Sequence, residues 1–174
     1  MRGPFRLGYG ALLGLFLTAC SFAVTVDLPE QSFSVAALPN TQGKILYPKK
    51  TTFNPPPVSP KSVSVQGTLE ASQTLNTTLN FYVRLKDPAT DPGCTDLSSY
   101  GIQAYACGIG PNDEKAGEAR FQWSPSAPLT LQGENLTQGI AQGGFWLGLE
   151  VQGLPSGPVN FTLKNPKALV TVGL

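Results

Sequence analysis

The densest run of reactive side chains in this 174-residue chain is Asp87-Pro-Ala-Thr-Asp91-Pro-Gly-Cys94-Thr-Asp96, three carboxylates and a thiol within ten residues. Calcium takes six to eight oxygen ligands, and loops at the end of a β-sandwich can supply them. The spacing is not that of an EF-hand, and Asp before Pro or Gly is also ordinary turn chemistry. Turn formation is therefore the main expectation, with Asp87, Asp91 and Asp96 a weak calcium candidate. There is no histidine. Ser-His-Asp and Cys-His catalysis are excluded, as are His-based zinc and copper sites. A carboxylate-pair hydrolase would need two acids facing each other across a cleft. The acids lie almost entirely in expected turns and loops; Asp27 and Glu150 fall on outer strand faces with nothing to pair them. Of the two tryptophans, Trp123 shares a face with Phe121 and reads as core. Trp146 alternates with Phe145 and Leu147, which puts it on the wetter face, where it could stack on a sugar or pack under a loop.

Cys20 stands apart from these. Arg2 and Arg6 precede an uncharged apolar run, Leu7 to Leu17, which ends in Leu17-Thr18-Ala19-Cys20. Eleven residues are too few for a membrane span of about 20, but fit the apolar core of a signal peptide, roughly 7–15 residues. An apolar residue, two small residues and Cys resemble the lipobox of bacterial lipoproteins. The resemblance covers the first 20 residues. It implies a thioether-linked diacylglyceryl group on Cys20, removal of residues 1–19, acylation (typically palmitate) of the new N-terminus, and a membrane anchor made effectively permanent by several acyl chains. The alternative is an ordinary secretory signal cleaved after Ser21-Phe22-Ala23, which would discard Cys20.

With Cys20 lipidated, Cys94 and Cys107 remain as an even pair in an exported, oxidising compartment, and a disulfide follows. It would close a loop of about 14 residues, worth ~3 kcal/mol by chain entropy. A redox or metal role is disfavoured by the spacing, which is not CxxC, and by the lack of a basic neighbour. Losing residues 1–19 would leave 155, one ordinary domain. Without Arg2 and Arg6, ten Lys+Arg face eleven Asp+Glu, a net charge of −1. Such a surface lacks the clustered cations that nucleic acid requires. Asn-x-Thr sequons at Asn76, Asn135 and Asn160 are incidental in a bacterial reading.

The elements that must position these residues are strands. Phe22, Val24, Val26 and Leu28 alternate directly after Cys20, without the polar tether common in lipoproteins, which places the domain close to the bilayer. Ser32–Val35 is a short strand, and Asn54–Pro60 an extended proline-rich connector. Val63, Val65 and Leu69 share one face. Leu75, Thr77, Leu79, Phe81, Val83 and Leu85 form the clearest strand, with Tyr82 and Arg84 on its opposite face. Further strands are expected at 100–107, 119–123, 129–132, 144–152, 159–163 and 168–172, the last three as an antiparallel meander. Asp113–Ala119 could make one helical turn.

Short alternating strands with 19 Gly and 16 Pro predict an all-β antiparallel sandwich, immunoglobulin-like first and a closed barrel second. The expected organisation is a signal at 1–19, the anchor, N-terminal strands and connector at 20–60, and a sandwich core at 61–174, with 22–174 one domain. The function expected is a non-enzymatic structural or interaction module of the cell envelope, without a cofactor. It would be anchored to the outer membrane where one exists, otherwise to the outer face of the plasma membrane, with a protein partner there. A carbohydrate binder using Trp146 is the alternative, and a carboxylate-only hydrolase the third reading.

Overall fold

The fold is described by a computed structural model covering residues 21–36, 38, 40–155 and 157–173. Cys20 and the signal region lie outside the described residues. In chain order the strands are β1 (Ser21–Asp27), β2 (Gln31–Ala36), β3 (Lys44–Tyr47), β4 (Thr51–Thr52), β5 (Ser62–Arg84), β6 (Cys94–Asp96), β7 (Tyr105–Gly108), β8 (Glu114–Gln132), β9 (Gly144–Glu150) and β10 (Pro158–Gly173). Among the described residues an α-helix, α1 (Glu134–Gln142), precedes β9. All the strand pairings are antiparallel, in the order β1-β10-β5-β9-β3-β7-β6. β2 also pairs with β10, β4 with β9, and β8 with the other edge of β5. The all-β sandwich expected from alternation is present, and among the described residues the sheet does not close into a barrel.

Two layers arise because β5 and β8 bend together. The first part of β5 pairs with β10 and the last part with β9, while β8 follows it along nearly its whole length. Register slips between Glu70 and Leu75, at the bend. Phe121, paired with Thr77 beyond the bend, packs against Phe161, paired with Ala71 before it, with ring centroids 6.3 Å apart. The fold-back brings Gly117 against the other half of its own strand: a Cβ there would run into the Thr130 carbonyl oxygen. Leu69, Leu79, Val83, Phe121, Val159 and Phe161 are buried in the core between the layers. Each contributes roughly 1.5–3 kcal/mol by leaving water.

Several expected elements are merged or moved. The strands at 63–69 and 75–85 are one strand, as are those at 119–123 and 129–132. Those at 159–163 and 168–172 also join, across a bulge between Lys164 and Lys167 where Asn165 has φ 48°. Asn-Pro read as a hairpin turn because turns and bulges use the same residues: Asn tolerates the left-handed region and Pro needs no ladder partner. The C-terminal meander is therefore absent, since β5 lies between β9 and β10. Trp123 is not core but 79% exposed. It is the extra residue of a bulge, Leu75 opposing Ser124 and Asn76 opposing Gln122, with φ 51°. A bulge resets the two-residue alternation that had placed it beside Phe121.

The helix lies at 134–142, and Asp113–Ala119 runs into β8 instead. Leu136 and Ile140, four apart, face the core, and Gly143 ends the helix at φ 79°. Its N-terminal amides are capped from a distance: the Glu114 carboxylate accepts from Glu134 N at 2.9 Å and Asn135 N at 2.6 Å. An acid at a helix start is favourable, but no local pattern announces one twenty residues upstream.

The close approach at Gly117 carries a prediction. Gly117→Ala should destabilise the fold by about 2–3 kcal/mol through overpacking, read as a lower urea midpoint. Gly108→Ala, where a Cβ meets nothing within 4 Å, should change stability by less than about 0.5 kcal/mol. Equal midpoints would show that β8 does not fold back on itself.

Candidate functional site

The outer face of β5 does not meet water where alternation had placed Tyr82 and Arg84. Both are buried, in a second small core with Ile45, Tyr47 and Cys107. Cys94 and Cys107 face each other across β6 and β7 and form a disulfide. Arg84, 1% exposed, lies against it, with Nη1 3.0 Å from Cys94 Sγ and 3.1 Å from Cys107 Sγ. Nη2 is bonded to the Asp91 carboxylate. Nε lies 3.5 Å from Asp113 Oδ1 without hydrogen-bond alignment, and the guanidinium sits 5.5 Å from the centre of the Tyr47 ring.

Backbone and phenol complete the cluster. Tyr47 OH donates to Asp113 Oδ1 at 2.8 Å, and Gly110 N to Oδ2 at 2.8 Å. Asp91 accepts from Gly93 N at 2.9 Å and Asn112 Nδ2 at 3.2 Å. The Gly93 amide and then the Arg84 guanidinium hold the Asp91 carboxyl below the usual range. Burial first, and the bond to Asp113 second, push the Tyr47 phenol far above its ordinary value. One cation thereby ties loop 87–93, loop 109–113, the disulfide and β3 together, and its charge is engaged within the fold.

The calcium candidates are not gathered. Asp87 accepts from Ala89 N and Asp96 from Ser98 N, each within its own turn, and Asp91 faces Arg84. Among the described residues no three His, Cys, Asp or Glu side chains form a metal-binding group. Glu150, expected on an outer face, is buried instead because the second core covers β9 there. It accepts from Asn80 Nδ2 at 2.8 Å, and Tyr82 OH points to the same oxygen at 3.4 Å. Burial, then the Glu150 charge, raises the Tyr82 phenol. Asp27, the other acid expected on an outer strand face, is exposed on β1 beside Lys167. Trp146 is half-buried opposite Arg84, edge-on to Tyr105 with centroids 6.4 Å apart.

Two apolar features escaped the sequence reading. The first is a cavity of about 600 Å³ that opens between the layers. Its floor includes Leu69, Phe81 and Leu131, its walls Phe33, Leu147 and Leu163, and its exposed rim Gln31, Lys49, Thr51 and Gln103. These residues come from β2, β4, β5, β8, β9 and β10 and from loops between strands, and inward alternation alone does not distinguish a filled core from an unfilled one. The second is the apolar side of β1. Phe22, Val24 and Val26 were expected to share a face, and they do, but that face is solvent-exposed, Phe22 at 54%. The stripe lies beside Val172, Val170 and Ala168 on β10.

No protein-family model matches this chain, and no curated protein or solved structure is significantly similar to it. Its chemistry must be read from its own residues.

Removing Arg84 would leave Asp113 buried without its cation. Arg84→Ala should cost about 3–5 kcal/mol, and Arg84→Ala with Asp113→Ala less than the sum of the single changes, measured by urea unfolding. The phenols predict an alkaline limit. Their raised values in the fold give a stability contribution that is complete below the unfolded value near 10 and lost as pH climbs above it. Absorbance at 295 nm should show Tyr47 and Tyr82 ionising together with unfolding above about pH 10. Full titration of all tyrosines with the near-ultraviolet dichroism intact would contradict the burial.

Proposed function

We propose that this chain is a non-enzymatic interaction module of the cell envelope, held at a membrane surface by lipid on Cys20. The observation that carries this reading is the position of β1. Ser21, Phe22 and Ala23 pair with Gly173, Val172 and Thr171. Ordinary secretory cleavage after Ala23 would cut away three of the seven residue pairs that join β1 to β10. Lipoprotein processing before Cys20 keeps all seven.

The same placement supports a surface role. A strand that starts one residue beyond the lipidated Cys has no tether, so its exposed Phe22, Val24 and Val26 would lie within reach of the bilayer interface or of a partner seated there. The Lys61 side chain passes over Gly173, opposite Ser21, where an ammonium group would meet anionic headgroups. The non-enzymatic reading rests on the missing histidine and on Asp91, Asp113 and Glu150 being engaged by hydrogen bonds inside the fold.

Intact mass of the protein recovered from its own membranes tests this. A species beginning at Cys20, heavier by its acyl groups, that moves to the soluble fraction in a Cys20→Ser variant is expected. A soluble species beginning at Val24 would overturn the proposal.

A further inference from the structure

The cavity between the layers is an asymmetric container. Its floor and walls are leucine and phenylalanine side chains, and its polar groups are confined to the rim. Ligand pockets commonly measure about 300–1,000 Å³ and are apolar with a few polar groups that orient the ligand; at about 600 Å³ this one is within that range. A sugar or nucleotide would leave its hydroxyls or phosphates facing Leu69, Phe81 and Leu131 without partners, at a high cost. An alkyl chain leaves nothing unsatisfied.

Volume sets how much chain enters. An apolar cavity of ~150 Å³ takes one benzene ring, about 25 Å³ per carbon. By that scale the cavity holds about two dozen carbons, enough for one chain of sixteen to eighteen carbons but not for two. Charge sets the headgroup. Among the described lining residues Lys49 is the one ionisable side chain, exposed at the rim, and Gln31 and Gln103 are exposed lining residues as well. An ammonium and two amide donors suit a carboxylate, and no described lining residue supplies an acid that would repel it. Each methylene placed in the cavity should tighten binding by about fourfold.

We propose that this cavity binds a long-chain fatty acid, its alkyl chain between the layers and its carboxylate at Lys49. The proposal stands whether or not Cys20 carries lipid, because Ser21 lies at the opposite end of β1 from the turn that leads to the Gln31 rim.

The test is photolabelling of the full-length protein in its own membranes with palmitate carrying a mid-chain diazirine, the adducts mapped by peptide mass. A diazirine phosphatidylcholine serves as the comparison. Palmitate label is expected on the segments around Phe33, Leu147 and Leu163, competed by excess unlabelled palmitate and not by hexadecyltrimethylammonium. The phospholipid should label β1 and not the cavity. Leu163→Trp, which fills the cavity, should abolish the palmitate label. Lys49→Gln, an exposed change that leaves the fold intact, should lower it by about fivefold at subsaturating probe. Palmitate label confined to β1, cavity labelling by the phospholipid alone, no cavity label from either probe, or equal labelling in wild type and Lys49→Gln would each overturn the proposal.

Discussion

The fold depends on the bend shared by β5 and β8. Hydrogen bonding holds the pair together almost from end to end, and the core can be enclosed only if the pair folds over. β10 attaches to one arm of β5 and β9 to the other, so the bend decides which faces meet. Where the two arms of β8 meet, a Cβ on Gly117 would run into the Thr130 carbonyl oxygen, so the close approach requires glycine there. The bulges at Trp123 and Ala116 supply the extra twist that such coiling requires.

A second constraint acts at the end of that pair. A buried arginine is expensive unless its donors are met, and breaking such an arrangement is worse than never having had it. Here the guanidinium faces two carboxylates, a disulfide and an aromatic ring. The disulfide fixes the β6–β7 hairpin through chain connectivity, and Arg84 fixes the loops around it through charge. Together they cover the outer face of β5 and β9, so that Tyr82 and Glu150 are buried where a single-sided sheet would have left them wet. The cluster is therefore structural, and it takes up Asp91 and Cys94 of the acidic loop, while Asp87 and Asp96 are held in their own turns.

Two apolar features lie outside this polar network. One is the interior space that the layers leave unfilled, and the other is the uncovered stripe of β1. They lie in different parts of the sheet and suit different chemistry: a concave cavity takes a single chain, while an exposed strand face meets an extended interface. A lipid-rich surrounding would satisfy both by the same exclusion of water.

The sequence by itself determined the strand content, the inward sets Leu75, Leu79, Phe81 and Val83 and Phe145, Leu147, Leu149 and Val151, the disulfide partners, and the turn roles of Asp87 and Asp96. These follow from the period-two geometry of an extended chain, from cysteine number, and from local hydrogen bonding, each readable within a few residues. Tertiary structure decided the rest. Whether Asn165-Pro166 turns the chain or only bulges it depends on whether β5 offers an edge to both halves of β10. Trp123 is exposed because a bulge consumed one residue of the alternation. Arg84, Tyr82 and Glu150 are buried because the second small core, assembled from β3, β7 and the loops at 87–93 and 109–113, covers that face, and the helix at 134–142 begins where Glu114 can cap it. The common reason is that side-chain alternation is a local property of one strand, whereas which side of that strand is covered is settled only when the other segments have packed against it.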